Sequence, residues 1–216
     1  MSELQKILVP ADNVLTSDQV NANADEYLKL LASYQRDGLK ELGDWLLNKT
    51  DFFRTPAQTH DKGAYMGGNA ARTLRAYAVS QQLAADIGLD EKATKSVGLA
   101  CLLADVWKCD AFMPTERRKR MSNGTWVTVR AFEFRHDSPQ LGHGEKSVIY
   151  VQRFTKLTVN EELCIRWAAG FDDETVAGTL ATRAQFNNAV EQCPLVALVN
   201  TAFTLAVAFG EKNLSV

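Results

Sequence analysis

With 216 residues, 46% of them hydrophobic and 23% charged, the chain can bury a core of its own as a single domain over residues 1–216, and nothing in it requires a second. A net charge of -2 and a pI near 6.0 exclude a global attraction to nucleic acid or anionic lipid, so any anion site has to be local. The predicted elements begin with helices over about residues 17–48, where Leu28, Leu31, Leu39, Leu42, Trp45 and Leu46 recur at threes and fours. Gly38 either divides this run into a helical hairpin or bends one helix. A loop from Lys49 to Lys62 carrying Pro56 leads to Gly67-Gly68 and a long helix from about Asn69 to Ile87, stopped by Gly88. Asp90 caps the next helix, whose apolar residues Ala93, Val97, Leu99, Leu102, Leu103 and Val106 cover most of its faces. That pattern marks a central buried helix, with Asp105 on it.

After Trp107 the pattern changes. Glu116 to Arg120 is a charged run, Ser122-Asn123-Gly124 is a hairpin turn signal, and Thr125 to Phe134 is rich in β-formers. Together they predict a two-stranded ribbon, at about residues 113–137, inserted into a helical domain. Helices resume at about Glu145 to Phe154 and Asn160 to Ala169, the latter with Asn160 as N-cap, and continue at Ala181 to Val190 and Pro194 to Phe209. The fold class is therefore mainly all-α with a β-hairpin. Cys101, Cys109, Cys164 and Cys193 lie far apart with no C-x-x-C pair, as expected of reduced core residues. The start, Met1 to Lys6, has no signal-peptide core and no apolar run is long enough to span a bilayer, so a cytoplasmic protein without a membrane partner is expected.

Three stretches carry a resemblance: Asp51-Phe52-Phe53-Arg54-Thr55-Pro56-Ala57, Gly142-His143-Gly144-Glu145-Lys146-Ser147-Val148, and Cys193-Pro194-Leu195-Val196-Ala197-Leu198. In order and separation, the run from about Asp37 to Ala208 resembles the HD-domain phosphohydrolase superfamily, in particular the small HD proteins of bacteriophages and prophages. The resemblance implies a helical bundle which, in active members, holds one or two divalent metals such as Mn or Mg and hydrolyses phosphate esters, often of nucleotides. It also places that family's functional positions on this chain. The first metal-binding histidine falls on Arg72, the name-giving His-Asp pair on Ala104-Asp105, and the terminal aspartate on Phe203. Of the accessory histidines, one falls on Lys62, one on Ala168, and only His143 matches; His60 and His136 are the only other histidines in the chain.

One carboxylate and one distant imidazole do not cage a divalent ion, and an arginine in a ligand's place repels it. The expectation is thus an HD-like protein with no metal and no cofactor, a pseudoenzyme acting by binding a host or viral protein. In it, Arg72 would pair with Asp105 where the ion stands in relatives. Two readings of that pair stay open: Lys62, Arg72, Asp105 and His143 line a remnant pocket for phosphate or a nucleotide, or the pair is purely structural in a collapsed pocket. Trp107 and Lys108 either wall this pocket or belong to the core. Arg117, Arg118, Lys119 and Arg120, beside Trp126, form either an interaction surface or a solvated loop, and nucleic acid is not indicated as a partner. The enzyme alternative is a rebuilt site using a divalent metal with Asp105 and His143, assisted by His60, His136 or Asp137.

Overall fold

The computed structural model describes residues 15–59, 63–137, 141–170 and 179–209. Eight helices and one two-stranded sheet make up its regular structure: α1 (Ser17–Ser33), α2 (Leu39–Asn48), α3 (Gly68–Ile87), α4 (Glu91–Leu103), β1 (Phe112–Arg120), β2 (Trp126–Phe134), α5 (His143–Val151), α6 (Val159–Arg166), α7 (Leu180–Gln192) and α8 (Leu195–Phe209). The chain is mainly α with a hairpin, as its periodicity predicts. Gly38 divides the first helical run in two. Its φ of +82° suits glycine, and an added Cβ would stand 1.8 Å from the Phe154 carbonyl oxygen, so no other residue fits there without moving backbone.

All eight helices contribute to one apolar core. At its centre lies α4, where every residue from Val97 to Leu103 is buried. A helix buried on all faces has no solvated side to tolerate a polar residue, which is why this run is continuously apolar or small. α3 packs against both α4 and α8, and α6 against α4, α5 and α8. Among the described residues no single helix is long and apolar enough to cross a membrane. All four cysteines are buried and free, and burial pushes the thiols of Cys101 and Cys109 up to about 12.

At two element termini the structure differs from the sequence expectation, once for a long-range and once for a reciprocal reason. Asp105 is not on the central helix. α4 ends at Leu103, and Val106–Lys108 form a single 3₁₀ turn after it. The buried hydroxyl of Ser147 causes the break: it accepts the Trp107 N–H at 3.0 Å and donates to the Ala104 carbonyl at 2.6 Å, taking both groups out of the helical ladder. The cap of α6 is Thr158 rather than Asn160. Thr158 Oγ1 accepts the Glu161 N–H while the Glu161 carboxylate accepts the Thr158 N–H at 2.8 Å, a reciprocal box that Asn160 has no partner to build. The charged run Glu116–Arg120 lies in β1, paired antiparallel with β2, within the ribbon expected at about residues 113–137, so the loop alternative for Arg117 to Arg120 does not hold.

The packing of α5 on α6 depends on Gly144. A Cβ there would lie 2.3 Å from the Arg166 carbonyl oxygen and 2.6 Å from its Cα, both backbone atoms that no rotamer change relieves. Gly144→Ala is therefore expected to cost about 2–3 kcal/mol, by overpacking, and to lower the urea midpoint with little change of slope. A midpoint equal to the parent's would show that the two helices separate freely.

Candidate functional site: a cationic pocket beneath the ribbon

Asp105 lies at the junction between α4 and the 3₁₀ turn, nearly buried. Its Oδ2 accepts a hydrogen bond from Arg72 Nη2 at 2.6 Å and stands 3.0 Å from Lys108 Nζ. Arg72 comes from the second turn of α3, and Lys108 from the end of the same 3₁₀ turn that follows Asp105. Lys108 is almost completely buried and also donates to the Ala57 carbonyl at 2.8 Å. A buried ammonium is costly unless paired and hydrogen-bonded, and these two contacts satisfy it. Burial raises the Asp105 carboxyl above its ordinary value of 3.8, an effect that Arg72 and then His143 oppose. Two cations on one carboxylate leave the cluster positive by one unit.

His143 opens α5, one turn before Ser147, so both project from the same face of that helix. With Ser147 pinned to the α4 terminus, the His143 ring is laid flat on Trp107, at 3.5 Å between centroids and 6° between planes. Trp107 also packs against Phe112 and Phe134, the residues that pair at the root of the ribbon, whose own rings lie 5.0 Å apart. The ribbon root is held further by backbone bonds from Phe132 N–H to the Thr59 carbonyl and from Arg135 N–H to the Ala111 carbonyl.

In front of the ion cluster opens a cavity of about 450 Å³. Its floor is Arg72, Asp105 and Lys108, one wall is Trp107, His143, Phe112 and Phe134, and the opposite wall is Ile165, Ala168, Phe203 and Val207, with Asn200, Thr204 and Arg166 also lining it. Arg166 pairs with Glu145 and lies over the Trp167 ring. Of the Arg72 donors, Nη2 is used on Asp105, whereas the buried Nε–H has no partner among the described residues. Apolar walls over a small charged floor are the usual form of a small-molecule site.

The structure therefore brings together Arg72, Asp105 and His143, with Ala104, Ala168 and Phe203 in the same cavity. Those six positions are separated by as much as 131 residues in the chain, from Arg72 to Phe203. Lys62 and His60 lie outside the described residues. His136 and Asp137 do not line the cavity; Asp137 instead pairs with Arg135 at the surface. Lys108 and Ser147 are the functional positions that the sequence did not single out for these roles. Lys108 had one available signal, its position three residues after Asp105. The pocket is open rather than collapsed, and Trp107 is both core and wall.

Protein-family models, curated proteins and solved structures were compared with the chain. None of them matches it.

The donor set does not fit a divalent metal. Among the described residues no three His, Cys, Asp or Glu side chains gather where they could hold one ion. The one carboxylate present is shared by two cations, and the one imidazole has its face against Trp107. A dication near Asp105 would also meet Arg72 and Lys108 within a few ångströms.

Proposed function

We propose that this chain is an HD-like helical protein that binds a phosphate-bearing ligand, such as a nucleotide, and does not cleave it. The carrying observation is that Arg72, Ala104, Asp105, His143, Ala168 and Phe203, the positions where the resemblance places the metal ligands and their neighbours, line one open cavity whose floor is an Arg72–Asp105–Lys108 ion cluster. A fixed cation pair stands in for the ion electrostatically. Arginine presents planar donors that match phosphate oxygens, and Arg72 lines the cavity while it pairs with Asp105. The flat His143–Trp107 stack and the Phe112–Phe134 pair offer aromatic surface to the rest of such a ligand. Binding is retained on this reading because charge and shape are retained. Hydrolysis is not, because guanidinium and ammonium groups neither lower the pKa of a bound water nor accept its proton at neutral pH.

The test is a paired measurement. With Mn²⁺ or Mg²⁺ supplied, a nucleotide panel should release no phosphate. The same nucleotides, at about 100 times their Kd, should stabilise the protein by about 2.7 kcal/mol and raise its Tm by roughly 5–10 °C. Phosphate release that Asp105→Ala abolishes would establish the enzyme reading instead. A panel of phosphate compounds that leaves the Tm unmoved would remove the pocket reading.

A further inference from the structure

We propose that the β1–β2 ribbon is a binding site for single-stranded nucleic acid, in place of the protein partner expected from the sequence. From Glu116 to Arg130 no residue is buried, so the distal ribbon stands clear of the body on both faces. That stretch carries Arg117, Arg118, Lys119, Arg120 and Arg130 against the single carboxylate of Glu116, in a chain whose net charge is -2. The register pairs Arg120 with Trp126, Arg118 with Thr128 and Glu116 with Arg130. Alternation along each strand puts all six on one face of the ladder, the face that begins at the root with Phe112 and Phe134. Three guanidinium groups and an indole that is 60% exposed thus share a strip running outward from the pocket mouth.

Arg118 and Arg130 form no ion pair or side-chain hydrogen bond among the described residues, and Arg120 reaches only the Gly124 carbonyl of its own turn. Five cations with one carboxylate among them, Glu116 across from Arg130, still repel one another on balance, and a surface selected only for solubility intersperses the two signs more evenly. A polyanion relieves that repulsion. The indole decides which polyanion. Carboxylates on an acidic protein surface present no ring to the indole, whereas every unpaired base presents a π-face that stacks on it, and arginine planes between phosphates add to the same contact. In a duplex the base faces are already occupied by their neighbours, which leaves the single strand. Side chains two residues apart on one strand repeat at about 6.8 Å, a regular spacing suited to a repeating phosphate backbone and not to scattered carboxylates.

Arg118, Trp126 and Arg130 do not line the pocket, so changes to them test this reading apart from the pocket reading. The experiment is fluorescence anisotropy of a labelled oligothymidylate with the full chain, at about 50 and about 200 mM salt, with duplex DNA and polyglutamate as competitors. Contact with about three phosphates predicts a log–log salt slope near -2, a loss of about 15-fold in affinity over that range. Trp126→Ala should weaken binding about tenfold, and Arg118→Glu with Arg130→Glu should abolish it. These ribbon residues are exposed, so thermal melts matching the parent are expected and identify a loss of binding as local. No binding at the lower salt, an unaffected Trp126→Ala protein, or polyglutamate or duplex competing as well as the single strand would overturn the proposal.

Discussion

Replacing Arg36 with Ala should lower the stability by about 3 kcal/mol at neutral pH and the Tm by roughly 6–12 °C, by stranding a buried carboxylate. Arg36, just ahead of α2, holds both Glu161 oxygens through Nη1 at 2.9 Å and Nη2 at 2.7 Å, across 125 residues of sequence. The Glu161 side chain is fully buried while Arg36 is one-third exposed, which places the expected cost at the lower end of the range for broken buried pairs. Burial alone would raise the Glu161 pKa. The Arg36 hydrogen bonds and the Thr158 N–H outweigh it, and the group ends below its ordinary value of 4.5. An acid whose folded pKa is depressed stabilises the native state above the unfolded value, and that contribution disappears as pH falls through the folded value. The gap between the parent and Arg36→Ala should therefore be widest near neutrality and close progressively below pH 4.5, in denaturation curves taken across that window. Adding Glu161→Gln to Arg36→Ala should restore much of the loss, since no charge is then left buried and the amide oxygen still caps Thr158. A gap independent of pH would mean that packing, not charge, carries the interaction.

Asp105→Asn should tighten phosphate binding by tenfold or more, and should destabilise the ligand-free protein by about 3 kcal/mol. Both effects have one origin. The carboxylate now compensates Arg72 and Lys108, which stand 2.6 and 3.0 Å from it; without it, two cations crowd the pocket floor until an anion arrives. The signature is a Tm that climbs much more steeply with inorganic phosphate in the variant than in the parent. Were Asp105 a metal ligand, the same change would abolish ligand binding, so the two readings predict opposite signs.

Most of the helical frame was legible in the chain because its signals are local. The recurrence at threes and fours marks α1 and α2, Gly67-Gly68 and Gly88 bracket α3, Asp90 accepts the Ala93 N–H as the cap of α4, and Ser122-Asn123-Gly124 turns the ribbon. The Arg72–Asp105 contact was also anticipated, from a resemblance that placed both residues around one lost ion. What escaped was set by partners far away in sequence. Ser147 ends α4 early from a distance of 40 residues, and in doing so turns Asp105 and Lys108 toward each other and seats His143 on Trp107. No window of the sequence around Asp105 contains that hydroxyl.

The amino-acid order alone therefore determined which segments are helical, where the hairpin turns, and which stretches are too charged to be buried, since each follows from the periodicity and caps of a few neighbouring residues. Only the tertiary structure decided that the pocket is open, that Lys108 completes its ion cluster, and that three arginines and Trp126 share one face of a ribbon rooted at its mouth. Those features depend on how close separate segments come and on the strand register, and burial then sets the strength of every charge among them.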